Sequence, residues 1–303
     1  MPETPASLRA LLTGLIDYAG LFPPAGLAML PAVRNYADYR QGTDAWALGR
    51  FIVPGSRLEE FEGAAAALLP TGADEMPWPV SMLGGAEPGQ DAEQIFNFNE
   101  RHAAFAAGRA AIDTLEVKAA DSATITRLVR SAPDQVRVFV EIPIEGDATP
   151  LLEAIKANGA SAKIRTGGVT ADAFPSAEDV ARFLIAAAKA GVPFKATAGL
   201  HHARTAEYRL TYEPGSAEAP MFGFLNIFMA AAFARQGADQ PTLVRLLKDG
   251  ESTAFRFTRI AGVWRDPRVS AEEITAMRAS FGLSFGSCSF TEPMDDLRHL
   301  RHL

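Results

Sequence analysis

The feature that most constrains this chain is an alternation. Short extended apolar stretches are separated, again and again, by amphipathic helical ones, with Gly, Pro or Asp at the joints. A strand that feeds a helix and then another strand runs parallel to its predecessor, so the pattern predicts a parallel sheet. The extended stretches are residues 15–18, 49–53, 80–83, 114–118, 136–142, 161–165, 193–197 and 283–287. Helical periodicity fills residues 56–69, 91–107, 122–131, 151–158 and 176–190. Several of these helices start at Ser, Thr or Asp, whose side chains accept from the first free backbone N–H groups, and Gly159 and Gly191 end two of them. Eight strands in this rhythm predict an α/β fold of the (β/α)8 TIM type. A barrel takes about 250 residues, so 303 residues read as one domain over 1–303 with decoration.

The decoration is expected at 205–270, an excursion between strands seven and eight. It holds a helix near 222–235, a second near Leu243, and a hairpin over 255–264 whose turn Gly262 could supply. The apolar run 221–234 is interrupted by Asn226 and is too short to cross about 30 Å of hydrocarbon. It reads as a buried helix, and the same surface would suit contact between copies, so a homo-oligomer is allowed.

Charge removes one class of partner. With 29 Lys+Arg against 36 Asp+Glu and a formal net charge of -7, there is no basic surplus for a phosphate backbone, and no nucleic-acid partner is expected. The single cysteine, Cys288, excludes an internal disulfide and any CxxC pair. The first residues carry acid where a secretory leader needs base. The expectation is a cytoplasmic protein without a membrane partner.

Residues two apart on a strand share a face. In Glu116-Val-Lys118, Phe139-Val-Glu141, Lys163-Ile-Arg165 and Lys195-Ala-Thr197 the polar positions fall on one face, and Val117, Val140, Ile164 and Ala196 on the other. In a barrel the face under the helices is apolar, so the charged set is expected to point inward near the carboxyl ends of the strands, where barrel enzymes carry their chemistry. Two plainer readings give the same alternation. One is an antiparallel sheet with one wet face. The other is a structural ion-pair network, Glu116 with Lys118 and Glu141 with Arg165.

The sharpest local feature is the pair Lys163-Ile-Arg-Thr166-Gly167-Gly168 and Lys195-Ala-Thr-Ala-Gly199, on consecutive strands one βα unit of about 30 residues apart. Over these two strands and the helix between, the chain resembles the class I aldolases of the deoxyribose-phosphate aldolase type. The resemblance implies a lyase without a cofactor, with Lys163 as Schiff-base nucleophile and Lys195 as the neighbouring cation that lowers its pKa. Chemistry alone asks for the same thing, because an amine attacks a carbonyl only when unprotonated. The chain departs from the family pattern at Arg165 and at Ala198, and its candidate proton shuttles, Glu116 and Asp17, stand in no matching motif.

Other residues widen the candidate site. His201 and His202 follow the Lys195 strand. Either could act as a general base, or both could join Glu116 and Glu141 around a divalent metal, which gives a metal-dependent lyase, isomerase or hydrolase as the alternative. Gly286-Ser287-Cys288-Ser289 leads into a short helix, a place where backbone N–H groups hold phosphate. With Lys118, Arg165, Thr166, Gly167, Gly168, Ser287 and Ser289 as binding groups and Arg204 nearby, a small anionic substrate is expected. Cys288 itself reads as a small core hydrophobe. A non-catalytic ligand-binding barrel is the third functional reading.

Overall fold

The structure is a computed structural model that describes residues 4–72, 74–85, 87–103 and 108–303. The chain opens with α1 (Ala6–Leu12), β1 (Ile16–Tyr18), α2 (Met29–Gln41), β2 (Leu48–Pro54), α3 (Leu58–Ala65), β3 (Trp78–Leu83) and α4 (Pro88–Ala103). The middle follows the βα rhythm: β4 (Ala110–Lys118), α5 (Ser122–Ser131), β5 (Arg137–Glu141), α6 (Thr149–Ala157), β6 (Ser161–Arg165), α7 (Ala177–Ala190) and β7 (Phe194–Thr197). An excursion adds β8 (Ala206–Arg209), β9 (Glu218–Met221), α8 (Phe224–Arg235), α9 (Gln240–Leu247), β10 (Phe255–Phe257), β11 (Ala261–Trp264) and β12 (Arg268–Ser270). The chain then returns through α10 (Ala271–Ser280) and β13 (Gly282–Ser287) to α11 (Thr291–His299).

The strands β1, β13, β7, β6, β5, β4, β3 and β2 close, in that order, into a barrel whose neighbours are all parallel. The expected α/β barrel is the observed one, and an antiparallel sheet is excluded. Val117, Val140, Ile164 and Ala196 are buried in the hydrophobic layer under the helices, each Val or Ile there contributing roughly 1.5–3 kcal/mol by leaving water. Their immediate strand neighbours, Glu116, Glu141, Lys163 and Lys195, therefore point into the barrel. Asp121 caps α5 by accepting from Thr124 N–H, and Gly191 ends α7 at φ 69°, as the sequence predicts. The first and second helices, α1 and α2, start after Pro5 and Ala28 with no side-chain cap and so carry no such signal in the sequence. Of the helix expected over 91–107, residues 104–107 lie outside the described residues, as do residues 1–3.

The excursion holds more strand than the sequence suggests. β8 and β9 form an antiparallel hairpin, and β10, β11 and β12 a three-stranded antiparallel sheet. Gly262 does not supply the hairpin turn; it lies inside β11, paired with Phe257 and Val269. The turn falls at 258–260, where the Thr258 hydroxyl accepts from the N–H groups of Ile260 and Ala261 at 3.3 and 3.1 Å. Every residue of α8 from Phe224 to Ala234 is buried, and the helix packs within the chain against α7, α9, α10 and β13. Asn226, the polar interruption, is fully used: its amide donates to Leu246 O and Asp249 O and accepts from Thr205 N–H. Among the described residues no helix is long and apolar enough to cross a membrane.

Candidate active site

Parallel pairing sets Lys118, Glu141, Lys163 and Lys195 in one register row across β4, β5, β6 and β7. Lys195 and Glu116 lie wholly inside the barrel, Lys163 nearly so. Their charges alternate in space as a ladder. Lys195 Nζ donates to Asp17 Oδ2 and to Glu116 Oε1, both at 2.6 Å. Lys163 Nζ lies 2.8 Å from the other Glu116 oxygen and 2.9 Å from Glu141 Oε2. Glu141 Oε1 then faces Lys118 Nζ at 3.2 Å and an Arg165 nitrogen at 3.4 Å. The expected pairing of Glu116 with Lys118 does not occur, because Lys118 stands in register with Glu141 at the rim while Glu116 sits one step deeper.

Electrostatics follow from this order. Burial alone would push the Glu116 carboxyl up; the Lys163 and Lys195 ammonium groups outweigh it and hold Glu116 well below the usual carboxylate range. Glu141 is likewise lowered, burial being overcome by Lys163, Arg165 and Lys118. Burial would lower Lys163, but Glu116 and Glu141 more than reverse it, and its pKa is raised. The expectation that Lys195 lowers the Lys163 pKa is therefore corrected. Glu116 stands between the two amines and offsets the like charge. Glu141 Oε2 is buried and takes no aligned hydrogen bond, its contact with Lys163 being a charge contact alone.

Glu141 is also a wall of a cleft of about 500 Å³ at this end of the barrel that includes Lys118, Arg165, Ile142, Ile144 and Phe174. Lys163 retains 7% of its side-chain surface and Lys195 none, so only the former amine is near access, behind Glu141. At the strand ends Lys118 and Arg165 are 72% and 46% exposed, free to meet a ligand.

The remaining sequence candidates fall elsewhere. His201 is buried with Nδ1 3.3 Å from Ser287 Oγ and 3.6 Å from Cys288 Sγ; burial, then the neighbouring His202, pulls its pKa down to about 4, so it is neutral near pH 7. His202 stacks on the Tyr208 ring and pairs with Asp296. Among the described residues no group of three or more His, Cys, Asp or Glu side chains is placed to hold a metal, so the two histidines do not join Glu116 and Glu141 in a ligand set. Burial pushes the Cys288 thiol up to about 11, which leaves it an inert thiol at neutral pH.

The expected phosphate loop is used internally. Ser289 Oγ accepts from Glu292 N–H at the start of α11, and Ser287 Oγ is engaged with His201. Thr166 donates to Ala198 O, tying the ends of β6 and β7 together. A side chain on Gly167 would run into the Phe174 ring, one on Gly199 would meet the same ring at 2.9 Å, and one on Gly168 would meet Ala173 Cβ at 2.7 Å. Phe174 thus fills the space over Gly167 and Gly199, and Ala173 that over Gly168. Arg204 donates to Gly250 O, away from the lysines.

Three supporting residues escaped the sequence reading. Ser81 donates to Glu116 Oε1 at 2.6 Å and Ser284 to Asp17 Oδ2 at 2.8 Å. Gly49 lets Asp17 approach so closely that the next N–H, that of Arg50, donates to Oδ1 at 2.7 Å. The signal was a hydroxyl at an inward position of an apolar strand, where a buried polar group requires a partner.

An α/β barrel with charged groups at the carboxyl ends of its strands is consistent with an enzyme. No family model and no curated protein matches the chain. Among solved structures, a nitroalkane oxidase from Streptomyces ansochromogenes is similar over 65% of this chain and 62% of that one, with 14% identity and a TM-score of 0.32. A likeness at that level fixes neither the fold nor the activity of this chain.

Proposed function

We propose that the protein is an aldolase-type lyase in which Lys163 forms a Schiff base with the carbonyl of a small anionic substrate. The observation that carries the reading is the register pair Lys163 and Lys195, sharing Glu116 inside the barrel, with Glu141 between Lys163 and the cleft. The raised pKa of Lys163 does not oppose it. An ammonium and a carbonyl give an iminium and water, so the positive charge stays on the same nitrogen, and the carboxylates that hold the ammonium also hold the iminium.

Lys163 first passes one proton to Glu141 Oε2, the buried oxygen without an aligned donor. The free amine adds to the carbonyl carbon, and after proton transfer within the adduct Glu141 returns its proton to the departing hydroxyl, which leaves as water. The iminium then accepts the electron pair of the carbon–carbon bond one atom away as that bond breaks, while Glu141, ionised again, takes the proton of the substrate's β-hydroxyl, which becomes the second carbonyl; that proton passes to the enamine carbon, and water hydrolyses the resulting iminium to free the Lys163 ammonium. Glu116, between two ammonium groups, is the poorer base of the two carboxylates, which leaves Glu141 as the proton carrier.

The test is reductive trapping: borohydride with a panel of aldehydes and oxo acids, read by intact mass and peptide mapping. A reduced adduct at Lys163, absent from Lys163→Met, is expected. No adduct at Lys163 across the panel sinks the reading. A second reading, a non-catalytic anion-binding barrel, is favoured by the saturation of both ammonium groups with carboxylates at 2.6–2.9 Å. It predicts that same negative result, together with anion binding lost in Lys118→Met.

A further inference from the structure

The Glu141 carboxylate joins two functions at one point. Its Oε2 faces the Lys163 amine and its Oε1 faces Lys118 and Arg165, the two cations of the cleft. Whatever anion takes those two cations must come to the place now held by Oε1. It then lies within the width of a single carboxylate from the nucleophile. We propose that the substrate's anionic group docks between Lys118 and Arg165 in place of Glu141, and that the substrate is a short 2-oxo acid, whose carboxylate and carbonyl sit on adjacent carbons.

Three observations support the assignment. Among the described residues the cations are anchored only through Glu141, at 3.2 and 3.4 Å, longer than the 2.6 Å contacts deep in the barrel, so an incoming carboxylate can exchange with Oε1. Of the glycines that would cradle a more distant phosphate, Gly167 lies under the Phe174 ring and Gly168 against Ala173, and the serines of the last strand's loop are engaged with His201 and α11. The rest of the cleft offers apolar walls at Ile142, Pro143, Ile144 and Phe174, with Glu145 and Asp172 as its other charged groups. That lining accepts one small anion and a short apolar chain, and the two carboxylates disfavour a second negative charge.

The exchange also times the chemistry. Lys118 and Arg165 help to keep Glu141 ionised, and once the substrate has claimed them Glu141 becomes a stronger acceptor for the Lys163 proton. The amine is then released only beside a bound anion, which suppresses reaction with neutral carbonyl compounds.

This inference rests on the Schiff-base reading, and the experiment separates the two. Rates of cyanoborohydride trapping at Lys163 are compared for pyruvate, methyl pyruvate and glycolaldehyde phosphate. Methyl pyruvate keeps the carbonyl, loses the charge and is intrinsically more electrophilic. Pyruvate is expected to trap faster by about tenfold or more, the size of one charge-assisted contact. Both Lys118→Met and Arg165→Gln, at exposed positions that leave the barrel intact, are expected to erase that advantage while methyl pyruvate still reacts. Equal rates for pyruvate and methyl pyruvate, or an advantage that survives both substitutions, overturn the anion assignment and leave the Schiff base standing. Faster trapping of the phosphorylated aldehyde overturns the 2-oxo acid in favour of a distant phosphate. Absence of any Lys163 adduct overturns both readings together.

Discussion

Lys163 and Lys195 are register partners on adjacent strands, and a single carboxylate, Glu116, spans them with one oxygen 2.8 Å from the first amine and the other 2.6 Å from the second. Two buried ammonium groups this close are tolerable only because that carboxylate is ionised between them. Glu116→Gln removes it and leaves each lysine with one carboxylate and an uncompensated neighbour. The expected cost is about 3–5 kcal/mol in denaturant unfolding, seen as a lower midpoint at unchanged m. The Lys163 pKa should fall as well, so the pH at which borohydride trapping turns on shifts downward. A loss under about 1 kcal/mol, as for an exposed pair, would mean that the ladder is solvated and not the buried array described above.

The pH dependence of stability has a sign that can be worked out group by group. Glu116 and Glu141 are lowered on folding, so their contribution is complete above the unfolded carboxylate value of about 4.3 and is lost as pH falls below it. Lys163 is raised, so its contribution is complete below about 10.4 and is lost as pH climbs past that value. His201 acts earlier on the acid side. Its folded value of about 4 against about 6.5 unfolded means that the unfolded chain takes up a proton first, and about 3 kcal/mol should be lost between pH 6.5 and 4. Chemical denaturation from pH 4 to 11 should show a plateau that begins to fall near pH 6.5, and His201→Asn should remove the His201 share of that fall and leave the share of His302, which burial also lowers.

How much of this was legible in the sequence depends on the distance over which each signal acts. Strand alternation is local, so the inward direction of Glu116, Glu141, Lys163 and Lys195 could be read from two-residue spacing. Register is not local. That Lys118 meets Glu141 and not Glu116 depends on how β4 slides against β5, which no single strand records. The roles of Ser81, Ser284 and Gly49 depend on side chains from distant strands converging on Glu116 and Asp17. Gly167 and Gly168, just past β6, suggest a contribution to phosphate binding from their own neighbourhood; the groups that fill the space belong to Phe174 and Ala173, in the loop after β6. Gly262, a strand glycine that fits tightly against Ile274 and Phe257, looks like a turn in sequence because those neighbours come from other elements.

That filled space yields its own prediction. Gly167→Ala would press a methyl group into the Phe174 ring, an overpacking change expected to cost about 1–3 kcal/mol. Phe174→Leu in the same chain should recover most of the loss, whereas the two changes would simply add if Gly167 were needed for its backbone freedom. Nearby, Ala198 holds φ 61°, in the left-handed region that favours glycine, so Ala198→Gly should stabilise the chain by about 1 kcal/mol despite the added flexibility of the unfolded state. Thermal melts of the four variants decide both points.

Lys195 offers the last test, because it reaches only its partners. It is fully buried, donates to Asp17 and Glu116 at 2.6 Å, and lies 5.8 Å from the centre of the Phe139 ring. Lys195→Met leaves Asp17 with only the Ser284 hydroxyl and the Arg50 N–H as remaining donors, and Glu116 with the Ser81 hydroxyl and a single ammonium, that of Lys163. The single change should cost about 3–5 kcal/mol. Asp17→Asn alone should also destabilise, but the double variant should be more stable than the sum of the two by about 0.5–3 kcal/mol, since the second change removes a charge the first had left unpaired. The catalytic consequence separates Lys195 from Lys163. Without the Lys195 charge, Glu116 is held ionised by one ammonium fewer and competes with Glu141 for the Lys163 proton. In the folded Lys195→Met, Asp17→Asn variant an adduct at Lys163 should therefore still form, at a reduced rate, whereas Lys163→Met abolishes it. An adduct that moved to Lys195 in Lys163→Met would reverse the assignment of the nucleophile.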